Sequence, residues 1–282
     1  MKPILKWAGG KGKSDILPKL TGLIKPLLTG ENKYYEPFVG SGAVAFSLEY
    51  PKTVIGDKNF ELPNVYREVR DEPEKLLTDL REHQVEHDKD KAMWYRIIRG
   101  LDCHDDWPWY YTKSTVAART LYLNRVCFNG LYRVNKKGRF NTPLGRTISG
   151  KSPDIIQEQK ILELNKFLQT VDIREGDFEG IMSDVKADDV AYFDPPYDYE
   201  NVPTGFTMYQ PDGFTREDLV RLKNYCDYLV SIGCKVIISN NDTQFVRELF
   251  TGYDFIELET KRSINPESPN RRIGKEVIIY KV

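Results

Sequence analysis

The segment Val190-Ala191-Tyr192-Phe193-Asp194-Pro195-Pro196-Tyr197 runs from an apolar, β-prone stretch straight into two prolines. Proline cannot donate to a sheet ladder, so a buried strand over Val190–Phe193 must end there. Asp194 is thereby expected at the carboxyl end of a strand, where open α/β sheets bind their ligands. A residue before proline is pushed to an extended conformation, which holds the Asp194 carboxylate and the Pro195 carbonyl close together. Two fixed acceptors suit the gripping of an NH2 group by both its hydrogens, and Tyr197 adds a flat face for stacking. The competing reading is a plain strand end with a solvated aspartate in a Pro-Pro turn.

Working outward, the same alternation of strands and helices appears on both sides. Tyr34–Val39 is a short strand that leads into Gly40-Ser41-Gly42-Ala43-Val44-Ala45, a G-x-G-x-x-A turn opening a helix from Ala43 to about Tyr50. Glycines there allow a tight turn and close approach of the backbone to a ligand. The next strand, Thr53–Gly56, ends at Asp57, an acid placed to bind the two hydroxyls of a ribose. This order of elements points to an adenosine-type cofactor; a nicotinamide dinucleotide and S-adenosylmethionine both fit. Downstream, a helix over Gln159–Leu168 precedes a strand at Val171–Arg174, with Gly176-Asp177-Phe178 at its carboxyl end. After Asp194 come a long loop from Tyr199 to Gly213, a helix over Arg216–Leu229, and a strand Lys235–Ser239 ending in Asn240-Asn241-Asp242. Two last strands lie near Phe255–Leu258 and Val277–Tyr280.

The chain has 282 residues, 29% of them charged, with a formal net charge of −1, and a mean hydropathy of −0.52. That length buries a full core and accommodates one or two domains. No stretch is long and apolar enough to span a membrane, and Met1–Lys6 lacks the apolar run of a signal peptide. The four cysteines, Cys103, Cys127, Cys226 and Cys234, form no C-x-x-C pair. They read as reduced thiols of a cytoplasmic protein.

Charge is unevenly spread. From Arg125 to Lys151 the basic residues Arg125, Arg133, Lys136, Lys137, Arg139, Arg146 and Lys151 stand with no Asp or Glu among them. Phe128, Tyr132 and Phe140 are interleaved, and Gly130, Gly138 and Gly145 punctuate the stretch. Basic groups find phosphates and a planar side chain can enter a base stack, so this composition suits a groove-reading loop. The alternative is a solvated basic surface. Asn129-Gly130 and Lys137-Gly138 predict turns and a hairpin near 131–142. The helix before it, 114–125, is expected to be amphipathic on Val116, Leu121 and Leu123.

Three further signals are weaker. Lys261, Arg262, Arg271, Arg272 and Lys275 make a second basic loop that either holds phosphates or is solvated. Gly12-Lys13-Ser14 ends like a phosphate-binding P-loop, but Trp7 stands where that motif needs glycine. His83-Gln84-Val85-Glu86-His87 matches the zinc pattern H-x-x-E-H. It lies in a highly charged helical stretch from about Phe60 to Gln84 and is expected on a solvated face, so no metal is expected.

Taken together, these stretches resemble the Dam family (D12 class) of DNA adenine-N6 methyltransferases. The resemblance rests on Lys6-Trp7-Ala8-Gly9-Gly10-Lys11, on Glu36-Pro37-Phe38-Val39-Gly40-Ser41-Gly42, and on Asp194-Pro195-Pro196-Tyr197. It is most specific in Asn124-Arg125, Phe128-Asn129-Gly130-Leu131-Tyr132-Arg133 and Phe140-Asn141-Thr142-Pro143-Leu144-Gly145-Arg146. It implies an α/β, Rossmann-like class I S-adenosylmethionine-dependent methyltransferase sheet of seven mostly parallel strands with an inserted helical target-recognition domain. Residues 1–59 and 154–282 would form the catalytic domain and 60–153 the insertion.

The resemblance also implies roles. Asp194, Pro195, Pro196 and Tyr197 would be catalytic. Trp7, Gly9, Lys11, Glu36, Pro37, Phe38, Gly40, Ser41, Gly42, Asp57, Asp177, Phe178 and Asp194 would hold S-adenosylmethionine, released as S-adenosylhomocysteine. Arg125, Phe128, Asn129, Leu131, Arg133, Asn135, Lys136, Lys137, Pro143 and Arg146 would contact double-stranded DNA. The target is an adenine, most often in GATC, flipped out of the duplex, and a cognate restriction endonuclease is a partner the family admits. The rivals are transfer to cytosine N4 or protein glutamine, whose enzymes usually carry Asn or Ser at the position of Asp194, and a nicotinamide-dependent dehydrogenase.

Overall fold

The computed structural model describes residues 1–7, 16–146, 152–199, 213–260 and 274–282. In chain order its principal elements are α1 (Ile16–Ile24), β1 (Tyr34–Glu36), α2 (Ala43–Leu48), β2 (Thr53–Asp57), α3 (Glu61–Asp71), α4 (Pro73–Lys89), α5 (Lys91–Gly100) and α6 (Lys113–Val126). There follow α7 (Glu158–Leu168), β3 (Asp172–Glu175), α8 (Phe178–Ile181), β4 (Val190–Phe193), α9 (Arg216–Ser231), β5 (Lys235–Asn241), α10 (Gln244–Leu249), β6 (Asp254–Thr260) and β7 (Gly274–Lys281).

The seven strands form one sheet in the order β3-β2-β1-β4-β5-β7-β6. β1 to β5 run parallel, and β7 pairs antiparallel to both β5 and β6. Helices cover both faces, so the inner strands are apolar throughout rather than alternating: every residue of β4 is buried. Successive residues still divide between the faces. Tyr34, Ile55, Tyr192 and Ile237 pack with α1, α2, α3 and α7, whereas Tyr35, Val54, Ala191, Phe193 and Val236 pack with α8, α9 and α10.

Between β2 and β3 the chain builds α3 to α7. The first core cluster continues from the sheet through Leu62 and Val69 into Leu80, Tyr95, Leu121, Tyr122, Tyr132 and Phe140. Helix starts carry the expected caps: Asp90 for α5, Thr112 for α6, Asp177 for α8, and a Thr215–Asp218 capping box for α9.

Three sequence expectations are corrected. The helical stretch from about Phe60 to Gln84 is two helices, divided where Pro73 enters the first turn of α4, a position that tolerates the missing N–H. α6 is not amphipathic. It is packed by α3, α4 and α5, and even Ser114, Arg119, Thr120 and Asn124 are buried. The pair His83 and His87 does not lie on a solvated face. Both are buried beside Leu76 and Leu80. His83 Nδ1 faces the Trp94 indole N–H at 3.2 Å and His87 Nδ1 the Tyr122 hydroxyl at 3.1 Å. Burial pushes the His83 imidazole down to about 4, so it packs as a neutral ring. Among the described residues no group of His, Cys, Asp and Glu side chains could hold a metal ion, and no helix is long and apolar enough to cross a membrane.

Candidate active site

The order of the strands reverses between β1 and β4, which both leave the sheet at the same end. A cleft opens there, of about 1350 Å³ with its solvent-filled mouth included. Such a reversal is the usual ligand site of an open parallel sheet, because the loops on either side turn away from each other. Its walls come from the ends of β1 (Glu36 to Ser41, with Ala43 and Val44), β2 (Asp57 to Asn59), β3 (Gly176 to Phe178) and β4 (Asp194 to Tyr197), together with Trp7, Phe214, Asp218 and Arg221.

The glycine turn is braced on three sides. Gly40 donates its N–H to Asp57 Oδ2 at 3.2 Å and accepts the Tyr66 hydroxyl on its carbonyl at 2.6 Å. Gly42 donates to the Val39 carbonyl at 2.7 Å. Both glycines have positive φ, and a Cβ on Gly42 would lie 2.3 Å from the Phe46 ring. A side chain at either position would collide with a neighbouring ring; of the two glycines, Gly40 lines the cleft and Gly42 does not.

Two carboxyls lie beneath the turn. Glu36 Oε2 accepts the Tyr34 hydroxyl and the Ala45 N–H, both at 2.8 Å. Burial pushes Glu36 up to about 8, against the pull of those two bonds and with the Asp194 charge adding to the rise. Asp57 also accepts the Asn59 N–H at 2.9 Å, and burial pushes it up to about 6. Carboxyls so desolvated gain from a bound positive charge. Among the described residues that line the cleft, five are acidic (Glu36, Asp57, Asp177, Asp194, Asp218) and two basic (Lys58, Arg221). Arg221 is already paired with Asp177 at 2.7 Å. That balance favours a cationic ligand over a pyrophosphate.

Phe178 lines the cleft, and its ring is packed by two neighbours. Phe38 stacks on it at 5.6 Å and the Arg221 guanidinium lies 4.5 Å above it. Phe38 in turn meets Phe193 and Phe214 edge-on.

The catalytic candidates line the same cleft. Asp194 and Tyr197 are half-buried and Pro195 is buried. Tyr197 donates to Glu276 Oε2 at 3.4 Å. Burial and the neighbouring Asp194 hold its hydroxyl well above the usual tyrosine value, so it stays protonated. What fixes this loop is a clamp that sequence reasoning missed. Asp198 donates its N–H to Asn240 Oδ1 at 2.9 Å and accepts the Asn241 amide on its carbonyl at 2.6 Å. Its carboxylate takes two bonds from Arg216 and one from Thr243. The clamp follows from the register of the sheet: β5 pairs in parallel with β4, Phe193 opposite Ile238, which carries Asn240-Asn241 alongside the segment after Phe193.

The basic stretch forms the predicted hairpin, with an antiparallel bridge Val134–Phe140 and a second bridge Cys127–Leu144 at its root. Its aromatics are not equivalent. Phe128 is 48% exposed, whereas Tyr132 and Phe140 are buried, which removes those two from any groove-facing role. Arg133, Lys136, Lys137, Pro143 and Arg146 are exposed, Leu131 is half-buried and Asn129 is exposed at φ 56°. Arg133 is held by Asn141, its Nε 2.7 Å from Asn141 Oδ1. Asn135 braces its own turn by accepting the N–H groups of Lys137 and Arg139, and Arg125 donates to the Asp154 carbonyl.

Gly9, Lys11, the Gly12-Lys13-Ser14 run and Lys151 lie outside the described residues, as do Lys261, Arg262, Arg271 and Arg272 of the second basic loop.

Residues 7–264 match the family model of the D12 class N6 adenine-specific DNA methyltransferases. The chain is 36% identical, over 99% of its length and 95% of the relative's, to the Type II methyltransferase M1.LlaDCHI of Lactococcus lactis subsp. cremoris. It is 37% identical to the Type II methyltransferase M.MjaIII of Methanocaldococcus jannaschii, over 97% and 96%. With the DNA adenine methylase of Escherichia coli it shares 30% over 99% and 95%.

Proposed function

Since the chain belongs to the D12 class of N6 adenine-specific DNA methyltransferases, we propose that it takes its methyl group from S-adenosylmethionine held in the cleft and places it on a flipped-out adenine, in GATC. Membership of this family overturns the nicotinamide-dehydrogenase alternative and makes adenine, rather than cytosine N4 or glutamine, the acceptor. The observation that carries the reading is that Asp194-Pro195-Pro196-Tyr197 line the same cleft as Gly40 and Ser41 of the glycine turn.

The residues present fit the cofactor. It is a cation with an ammonium group, and the cleft is acidic. The side-chain-free turn at Gly40 and Gly42 would take its methionine end, beside Glu36 and Ser41. Asp57 at the end of β2 would take the ribose hydroxyls; Asp177 and Phe178, with Phe38, would border the adenine, and Trp7 closes the wall above Gly40. When bound, this group supplies an electrophilic methyl carbon on a sulfonium, so the chain need only present the nucleophile.

The chain's part follows from its acceptors. The N6 lone pair of adenine is delocalised into the ring. The Asp194 carboxylate and the Pro195 carbonyl accept the two N6 hydrogens, so positive charge growing on N6 meets acceptors already in place. Tyr197 stacks on the base, and the remaining effect is alignment. A base inside a duplex cannot reach the cleft, hence the flip.

Residues 60–153 would recognise the DNA. Phe128 would fill the gap left by the flipped base, with Leu131, Arg133 and Pro143 at base edges. Lys136, Lys137 and Arg146 would hold phosphates, and Asn129 would sit at the hairpin root. The structure gives Asn135 and Arg125 supporting bonds, so their DNA contacts are secondary in this reading. The enzyme would act in the cytoplasm, and the Type II names of two relatives extend the proposal to a cognate restriction endonuclease.

The test is incubation with labelled S-adenosylmethionine and plasmid DNA, followed by sequencing for N6-methyladenine. Modified adenine confined to GATC is expected. Label in another base, or adenine modified in an unrelated sequence, would refute the acceptor or the site respectively.

A further inference from the structure

The segment Lys6-Trp7 touches both the cleft, through Trp7, and the hairpin, through Gly130 and Tyr132. The side chain of Asn124, itself buried, accepts the Lys6 N–H at 2.9 Å and donates to the Lys6 carbonyl at 2.7 Å. The same amide donates to the Gly130 carbonyl at the hairpin root, at 3.2 Å. Gly130 has positive φ, and a Cβ there would come within 2.7 Å of the Lys6 side chain, so the two segments are in direct contact. Trp7 then spans the gap. One side meets Gly40, where a Cβ would lie 2.8 Å from the indole; the ring also packs on Tyr132 at 4.9 Å.

Tyr132 has a second attachment. Its hydroxyl donates to Glu61 Oε1 at 3.1 Å, and the Glu61 N–H donates at 3.2 Å to the side chain of Asn59, which lines the cleft two residues beyond Asp57. Glu61 also accepts the Thr120 hydroxyl at 2.6 Å and lies 3.6 Å from the guanidinium of Arg119, which is fully buried. Arg119 bonds Asp102 at 2.7 Å, and Asp102 accepts the Phe140 N–H on the hairpin's other arm at 2.6 Å. Both arms of the hairpin are therefore tied, through buried polar contacts, to the walls of the cleft.

We propose that Asn124 and Tyr132 are positioning residues that couple the two sites, so that a ligand against Trp7 and Asn59 fixes the hairpin in its base-reading orientation. This rests on the reading above that the cleft takes S-adenosylmethionine and the hairpin reads DNA. Coupling is reciprocal: if the cofactor tightens specific DNA, specific DNA tightens the cofactor by the same factor.

The test uses S-adenosylhomocysteine, which occupies the cleft without reacting, and a duplex containing the sequence that wild type methylates. Affinity for that duplex is measured with and without S-adenosylhomocysteine for wild type, Tyr132→Phe and Asn124→Ala. Tyr132→Phe keeps the ring on Trp7 and loses only the hydroxyl bond, so it remains informative if Asn124→Ala is too unstable to study. Wild type should bind the duplex about tenfold tighter with S-adenosylhomocysteine, within the usual range for coupled sites. In the variants that ratio should fall to about twofold or less while S-adenosylhomocysteine alone still binds near its wild-type affinity. A wild-type ratio of one overturns the coupling. So does a variant that loses binary affinities but keeps the full ratio, since its role is then only structural. Wild type that binds no S-adenosylhomocysteine and methylates no DNA would instead overturn the underlying reading.

Discussion

Asp198 and Asn240 are joined from the loop after β4 to the end of β5: the Asp198 N–H reaches Asn240 Oδ1 at 2.9 Å. The next residue, Asn241, holds the Asp198 carbonyl, and Arg216 and Thr243 hold its carboxylate. Asp198 thus fixes the end of the loop that begins at Asp194, although it is not placed to touch substrate.

Asp198→Ala should therefore act on the chemical step. Losing the carboxylate's bonds to Arg216 and Thr243 loosens the clamp and lets the acceptors drift, and a displacement of about 1 Å can cost roughly 100-fold in rate. The expected result is a single-turnover rate about 10- to 100-fold lower, with cofactor affinity little changed. Stopped-flow quench and calorimetry measure the two. A fall in affinity with an unchanged rate would assign Asp198 to the cofactor instead.

Asp194→Ala should abolish transfer while leaving both ligands bound. Removing one preplaced acceptor of this kind typically costs roughly 3 to 4 kcal/mol, a hundredfold or more in rate. Single-turnover methylation within about tenfold of wild type would reject the proposed grip on N6.

Glu36 predicts an unusual pH dependence. Its carboxyl ionises about pH 8 in the folded chain against an ordinary 4.5. Between those values the folded state binds more protons than the unfolded one, so stability falls as pH rises through that window. Asp57, raised from 3.8 to about 6, adds to the same slope at its lower end. The melting temperature of the cofactor-free protein should drop across this range, and Glu36→Gln should flatten the drop. A cation bound beside Glu36 favours its ionised form, so S-adenosylmethionine affinity should rise with pH up to about 8, by at most about tenfold per pH unit. Calorimetry in buffers of different ionisation enthalpy would detect the released proton. An affinity independent of pH would place the ammonium elsewhere.

Much of this site was legible because its sequence signals are local. Two prolines end a strand wherever they fall, and glycines at Gly40 and Gly42 announce positive φ in a turn. What escaped depended on which way side chains face in three dimensions. Tyr132 and Phe140 were read with Phe128 as groove-facing aromatics, yet Tyr132-Arg133-Val134 alternates buried, exposed, buried, as a strand with one covered face must. His83 and His87 fall on the spacing of Leu76 and Leu80, which places them on the inward stripe of α4. α6 looked amphipathic because Arg119 and Asn124 are polar, and nothing local reveals that each has buried partners far along the chain. Asp198 was invisible for the same reason: its partners stand 18 to 45 residues away.

Base selection is the sharpest test of the hairpin. Arg133 is exposed, and the bond from its Nε to Asn141 holds the guanidinium in place. One terminal nitrogen also donates to the Asn141 carbonyl at 3.4 Å, and a guanidinium so held can offer its remaining N–H groups to O6 and N7 of guanine in the major groove. Lys137 is also exposed, on the turn of the hairpin, where a flexible ammonium would meet phosphate and position without specifying. Arg133→Ala should cost roughly 1 to 3 kcal/mol on the cognate site and relax selection at one base pair. Asn141→Ala should reproduce part of that loss, because the guanidinium then loses its side-chain support. Lys137→Ala should weaken all duplexes about equally and reduce the salt slope by about one. The measurement is methylation of a duplex library carrying every single-base variant of GATC, at several salt concentrations. If Arg133→Ala leaves preference unchanged at every position, another residue reads that base. If wild type shows no preference for GATC, the proposed site is wrong while the adenine chemistry at Asp194 stands.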